Sequence, residues 1–184
     1  MPGEVVIVDH DARWPAKFEE ERGRIVAAIG PHVTGIEHIG STAVPGLAAK
    51  PVIDVLVGLR SLDDARECIR PVVALGYEYV PKFEAELPER RFFRKDTDGA
   101  RSHHIHMVEH GSPFWVRHIL FRDHLRTHPE DARRYEALKR ELAARFRDDR
   151  GAYTEGKTAF VREIEDTART ERAAAPGEAS LPTG

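Results

Sequence analysis

Cysteine is almost absent from this chain of 184 residues: Cys68 is the only one. An internal disulfide is thereby excluded, and so is a zinc centre built from several thiolates. Long apolar runs are missing as well, and none approaches the roughly 20 residues that a membrane-spanning helix needs. The opening MPGEVVIVDH carries an acid and only a short apolar part, unlike a secretory leader. A soluble, cytoplasmic chain is the expectation. Excess charge of one sign is lacking too, because 28 Lys and Arg stand against 31 Asp and Glu. With a net charge of -3 there is no molecule-wide positive field, so general nucleic-acid binding is not expected.

What is there suffices for a core. Hydrophobic residues make up 41%, and the length suits one domain over residues 1–170. Residues 171–184 are small, polar and Pro/Gly-bearing, which predicts a disordered tail. Val5 to Val8 reads as a short strand, and Trp14, Phe18, Ile25 and Ile29 space out one face of a helix. Val33 to Ile39 predicts the next strand. Pro51 to Val57, apolar except for Asp54, predicts a central one covered on both faces. Ser61 starts a helix that ends before Gly76, and Tyr77 to Val80 reads as a strand. Arg90 to Lys95 and Arg101 to Val108 flank Asp96-Thr97-Asp98-Gly99, a hairpin signal. From Ser112-Pro113 onward the pattern is helical. A second such helix begins near Pro129 with an apolar stripe of Tyr135, Leu138, Leu142 and Phe146, and a third spans about Thr154 to Arg169.

One unit stands out chemically. A strand ends in Gly40-Ser41-Thr42, a connector follows, and the next strand carries Asp54 thirteen positions after Ser41. Glycine lets backbone approach a ligand, a hydroxyl and free N–H groups attract phosphate, and a carboxylate on the adjacent strand can hold a divalent ion. An acid in so apolar a strand needs a partner, either Lys50 or a metal.

The stretch HIGSTAVPGLAAKPVIDVLV resembles the signature of the GrpB family, which is grouped with the nucleotidyltransferase superfamily. Phe121 to Lys139 and Tyr153 to Ile164 are similar to that family's C-terminal helices, and the likeness runs from about Val5 to Ile164. Similar domains also occur fused behind dephospho-coenzyme A kinase. The resemblance implies an α+β fold: a nucleotidyltransferase-like mixed sheet flanked by helices, with a helical C-terminal part. It further implies a nucleotide or other phosphorylated small molecule as partner, and a divalent metal (Mg or Mn, with Zn as an alternative). The chain departs from the superfamily at Leu56, where active members carry a second acid that would share the strand face of Asp54.

His104 and His106 offer substitutes, since alternate strand residues share a face, and imidazoles suit Zn or Mn better than Mg. The candidate metal ligands are therefore Asp54, His104 and His106, with Asp54 also the candidate catalytic residue. Phosphate contacts are expected from Gly40, Ser41, Thr42, Lys50, Arg91 and Arg94, and His38 joins them because it shares the parity of Gly40. The basic hairpin of Arg90, Arg91, Arg94, Lys95 and Arg101 also reads as a solvated edge that resists aggregation. Arg122, Asp123 and His124 read as a salt-bridge group, Lys157 as a surface lysine, Trp14 and Trp115 as core anchors, and Cys68 as apolar filler. Three functions fit: nucleotidyl transfer, a non-catalytic nucleotide- or coenzyme-binding module that assists a protein partner, and a metal-dependent phosphohydrolase.

Overall fold

A computed structural model describes residues 4–174. Helix α1 (Trp14–Ile29) precedes strand β1 (Val33–Ile39), and after the Ser41–Ala43 turn comes β2 (Ile53–Leu59). Helix α2 (Ala65–Ala74) leads to a meander of β3 (Glu78–Tyr79), β4 (Arg90–Thr97) and β5 (Ala100–Glu109). Four helices follow: α3 (Pro113–Thr127), α4 (Pro129–Arg145), α5 (Arg150–Glu155) and α6 (Thr158–Ala174). The strands form one mixed sheet in the order β1-β2-β5-β4-β3, in which only β2 and β5 run parallel.

The sheet has two covered faces. On one, Ile53, Val55, Val57, Leu59, Ile105 and Met107 meet Trp14, Phe18, Ile25 and Ile29 of α1 and Cys68 and Val72 of α2. Each such buried side chain contributes about 1.5–3 kcal/mol of apolar transfer energy. The other face is shared. Ile39, Leu56 and Val108 lie under Phe114 and Trp115 of α3, and the upper part of the face opens into a cavity. A third cluster of Val44, Leu47, Leu125, Tyr135, Phe160 and Ile164 fastens α3, α4 and α6 to the connector before β2.

Local chemistry explains the boundaries. The hairpin closes on Asp98 and Gly99, both at positive φ (53° and 77°), the two-residue turn that suits the twist of paired strands. Ser112 accepts from the Trp115 N–H at 3.3 Å, and Pro113 occupies the first turn of α3. His124 ties three helices together, its Nε2 lying 2.8 Å from an Asp131 carboxylate oxygen of α4 and its Nδ1 3.1 Å from one of Glu171 of α6.

Three expectations need correction. Val5 to Val8 forms no strand: Val8 makes a single bridge to Ala49, and Val5 donates to the Arg147 carbonyl instead. The last helix is two, because α5 stops at Gly156 and the chain restarts at Thr158. Residues 171–174 of the expected tail belong to α6, and the rest of that tail lies outside the described residues. Among the described residues, no helix is long and apolar enough to cross a membrane.

Candidate functional site

Gly40 ends β1 at a φ of 72°, and a Cβ there would lie 2.7 Å from Asp54 Oδ2. Only glycine satisfies both the backbone and the carboxylate behind it. The turn therefore sits directly against Asp54, which β1–β2 pairing sets opposite Ile39. On the other side of β2, the parallel register places His104 beside Asp54 and His106 beside Leu56. His104 Nδ1 lies 2.9 Å from Asp54 Oδ1, and His106 Nε2 lies 3.6 Å from the same oxygen. One donor atom from each of Asp54, His104 and His106 falls within 4.8 Å of the others. Burial opposes charge on Asp54, but hydrogen bonds from the two imidazoles outweigh it and hold the carboxyl below its ordinary value. Burial lowers His106 as well.

These groups line a cavity of about 370 Å³. Gly40, Ser41 and Asp54 form one end, and Lys50, Lys139, Lys157, Tyr135 and Tyr153 come from the connector and the C-terminal helices. Lys50 and Lys157 lie over the Tyr153 ring at 5.1 and 4.4 Å, and Lys139 lies 4.8 Å from the Tyr135 centroid. Lys139 also donates to the Ala48 carbonyl. Burial, and then the charge of Lys50, brings Lys157 down to about 8. Burial, and then Lys157, brings Lys139 down to about 7. Such ammonium groups, drawn together and partly desolvated, are poised for an anion.

The donor set bears on the metal. One carboxylate and two imidazoles suit a single borderline ion, whereas a pair of magnesium ions needs more oxygen ligands. The place of the missing second acid is not open space. Leu56 is fully buried beneath Phe114 and Trp115, so a carboxylate there would enter an apolar layer.

The remaining candidates are scattered. His38 turns to the other sheet face, stacked on Phe18 at 4.8 Å, because Gly40 lies beyond the regular strand and strand parity does not carry to it. Its Nε2 donates to the Thr42 hydroxyl, which donates to the Val52 carbonyl, and burial lowers His38 to about 4. Thr42 thus borders the cavity with its hydroxyl already committed. Arg91 pairs with Met107 in register, on the face away from Asp54, and is bound by Glu84 and the Pro88 carbonyl. Arg94 shares the face of His104 but is held by Glu78 at 2.6 Å. Lys139, Tyr135, Tyr153 and His118 reach the cavity from helices, where the sequence pattern shows only amphipathic stripes, and Lys157, expected at the surface, reaches it from the turn between α5 and α6. Arg122 and Asp123 form the expected ion pair, extended to Glu37 at 2.6 Å.

Comparison with known proteins places this geometry. A family profile described as GrpB protein matches residues 4–167. The UPF0157 protein YqkA of Bacillus subtilis is 40% identical over 165 residues, covering 90% of this chain and 47% of that protein. The chain thus spans about half of YqkA. The glutamate-rich protein GrpB of Alkalihalophilus pseudofirmus is 36% identical, with 88% of this chain and 94% of that protein covered. A dephospho-CoA kinase of Mycolicibacterium paratuberculosis is 29% identical over 86% of this chain and 44% of its own length. The crystal structure of conserved protein GrpB from Enterococcus faecalis superposes with a TM-score of 0.83 at 33% identity, covering 91% and 99% of the two chains. Terminal uridylyl transferase 4 of Trypanosoma brucei, with bound CTP, gives 0.52 at 16% identity over 91% and 52%. The Cid1 poly(U) polymerase with Mg 3'-dATP gives 0.51 at 15% over 76% and 44%, and these two likenesses define a nucleotidyltransferase-like fold.

Proposed function

The chain belongs to the GrpB family, and from that footing we propose that it binds a nucleoside triphosphate, or a closely related phosphorylated molecule, in the cavity at Gly40. The observation that carries the reading is a division of charge. Asp54 with His104 and His106 stands at one side of the cavity, and Lys50, Lys139 and Lys157 stand at another. A phosphate chain between them would meet cations along its length, with Ser41 able to donate at the turn. Asp54, His104 and His106 are the residues that would hold a divalent ion. When bound, that ion would neutralise phosphate charge and polarise a phosphorus–oxygen bond.

Nucleotidyl transfer is the reaction this arrangement serves. An acceptor hydroxyl attacks the α-phosphorus, the bond from that phosphorus to the oxygen bridging to the β-phosphate breaks, pyrophosphate leaves with its electron pair, and the hydroxyl's proton passes to solvent. The chain's own part is to place the phosphates and supply fixed positive charge. Leu56 favours a second reading, a non-catalytic nucleotide- or coenzyme-binding module, because the usual pair of acids is incomplete. Cytoplasmic residence fits either.

Thermal unfolding with ATP and MnCl₂ tests the binding. At a hundredfold excess over Kd, about 2.7 kcal/mol of stabilisation is expected, and roughly 5–11 °C in Tm for a chain of this size. Asp54→Asn should abolish the manganese-dependent part. No shift with any nucleotide, or an unchanged shift in Asp54→Asn, refutes the assignment. Pyrophosphate release then separates transfer from binding alone.

A further inference from the structure

Beyond the cavity, beside His106, two arginines form no close ion pair among the described residues. Arg90 opens β4 and Arg117 lies on α3. Both guanidinium groups gather around the Phe114 ring, at 5.9 and 4.7 Å from its centroid. Arg90 also lies over Phe92 at 4.8 Å and Phe83 at 5.9 Å, and those two rings meet edge to face at 5.7 Å. The Nε atoms of both arginines are buried and find no acceptor.

Arg150 shares the unfilled Nε, but among the described residues it has no aromatic rings around it. Arg13, Arg94, Arg101, Arg122, Arg134 and Arg140 all meet carboxylates. Neither Arg90 nor Arg117 has an ion-pair partner among the described residues. Burial lowers Arg90; the charge of Glu89 opposes it and that of Arg117 adds a smaller push downward, while Glu165 feels the charge of Arg117. Two neighbouring half-buried guanidinium groups, with unfilled Nε donors and with Glu89 and Glu165 acting only from beyond ion-pair distance, are incompletely compensated for the cost of burial. An arriving anion would relieve that cost, and Arg presents paired donors suited to an oxyanion.

We propose that Arg90 and Arg117, walled by Phe83, Phe92 and Phe114, bind an oxyanion carried on an aromatic or apolar body, and that this is where the acceptor molecule docks. The anion answers the arginines, and the half-buried rings of Phe83 and Phe92, above the buried Phe114, answer the body. The place follows from His106, whose Nδ1 lies 3.3 Å from an Arg90 nitrogen while its ring also lines the cavity. Guanidinium only donates, so that imidazole nitrogen accepts. An oxyanion is the stronger acceptor and would take Arg90 from His106, linking acceptor arrival to the imidazole next to Asp54. The docking role rests on the nucleotide reading of the cavity, whereas the anion site itself does not.

Calorimetric titration of the full chain with phenyl phosphate, benzoate and inorganic phosphate tests this. Phenyl phosphate or benzoate should bind, and the tighter of the two identifies the acceptor's oxyanion. Arg117→Gln and Arg90→Gln should each weaken binding by at least about tenfold, with Arg117→Lys retaining more and reporting an intact fold. Lys157→Met, which faces the nucleotide cavity, should change it less than about twofold. Inorganic phosphate should bind more weakly, because it lacks the ring. The proposal is overturned if neither aryl probe binds, if binding ignores both arginine variants, if Lys157→Met removes it equally, or if inorganic phosphate matches phenyl phosphate. Loss of ATP binding in Lys157→Met with phenyl phosphate binding kept would distinguish the two sites. Absence of ATP binding in the unaltered protein would remove the cavity reading and leave the anion site standing.

Discussion

Lys139 shows what a single side chain can disclose and conceal. It is 2% exposed, it donates to Ala48, and burial together with Lys157 lowers it to about 7 from 10.5. The sign of the consequence follows from linkage. Between those two values the unfolded chain holds a proton that the native chain has lost, so stability rises with pH across that interval. Below pH 7 both states are protonated and the cost of burying the charge is fully present. Lys139→Met does not titrate. Between pH 7 and 10 the wild type should therefore gain on that variant by roughly 3–4 kcal/mol, read from chemical unfolding at several pH values. A constant difference would show that Lys139 keeps its proton. Nothing in the sequence marks this residue, because a lysine among Glu and Arg on a helix reads as solvated surface. Asp54 was legible for the opposite reason: an acid in an apolar strand must have a partner, and where the sequence offered Lys50 or a metal, the protein residue that hydrogen-bonds it is His104. Leu56 was legible only as a missing acid. Its burial under α3 depends on tertiary packing that no strand pattern reports.

Among the elements, those with strong local chemistry were readable. The β4–β5 hairpin follows from Asp98-Gly99, and α3 starts where Ser112-Pro113 announces it. The N-terminal Val5 to Val8 run misled because β-branched composition says nothing about whether a neighbouring strand is available, and here only Ala49 is. How α3 seats on the sheet depends on Gly58 as well. A Cβ at Gly58 would lie 2.8 Å from Trp115 Cζ3 and 3.0 Å from His110 Cβ. Gly58→Ala should therefore destabilise the protein by about 1–3 kcal/mol, because the indole must shift off the strand. Gly23, exposed in α1 with nothing within 4 Å of a built Cβ, is the contrast. Gly23→Ala should stabilise by about 0.5–1 kcal/mol through helix propensity alone. Denaturant midpoints of the two variants moving in the same direction would contradict this view of α3.

For the molecule as a whole, the decisive contact joins residues far apart in the chain. Asp54 and His104 are fifty positions apart, and they meet only because β2 and β5 run side by side in parallel. Closing so long a span is entropically unfavourable and tends to be slow. The β1–β2 pair and the β4–β5 hairpin, each built from nearer partners, can zip first. Pulse-labelled hydrogen exchange during refolding should then protect the β4–β5 amides ahead of those linking β2 to β5, and simultaneous protection would argue against it. A nascent chain released before β5 is made would leave a carboxylate without its imidazole partner in an oily, half-paired strand. Misassembly and proteolytic clearance are the hazards that such late closure exposes.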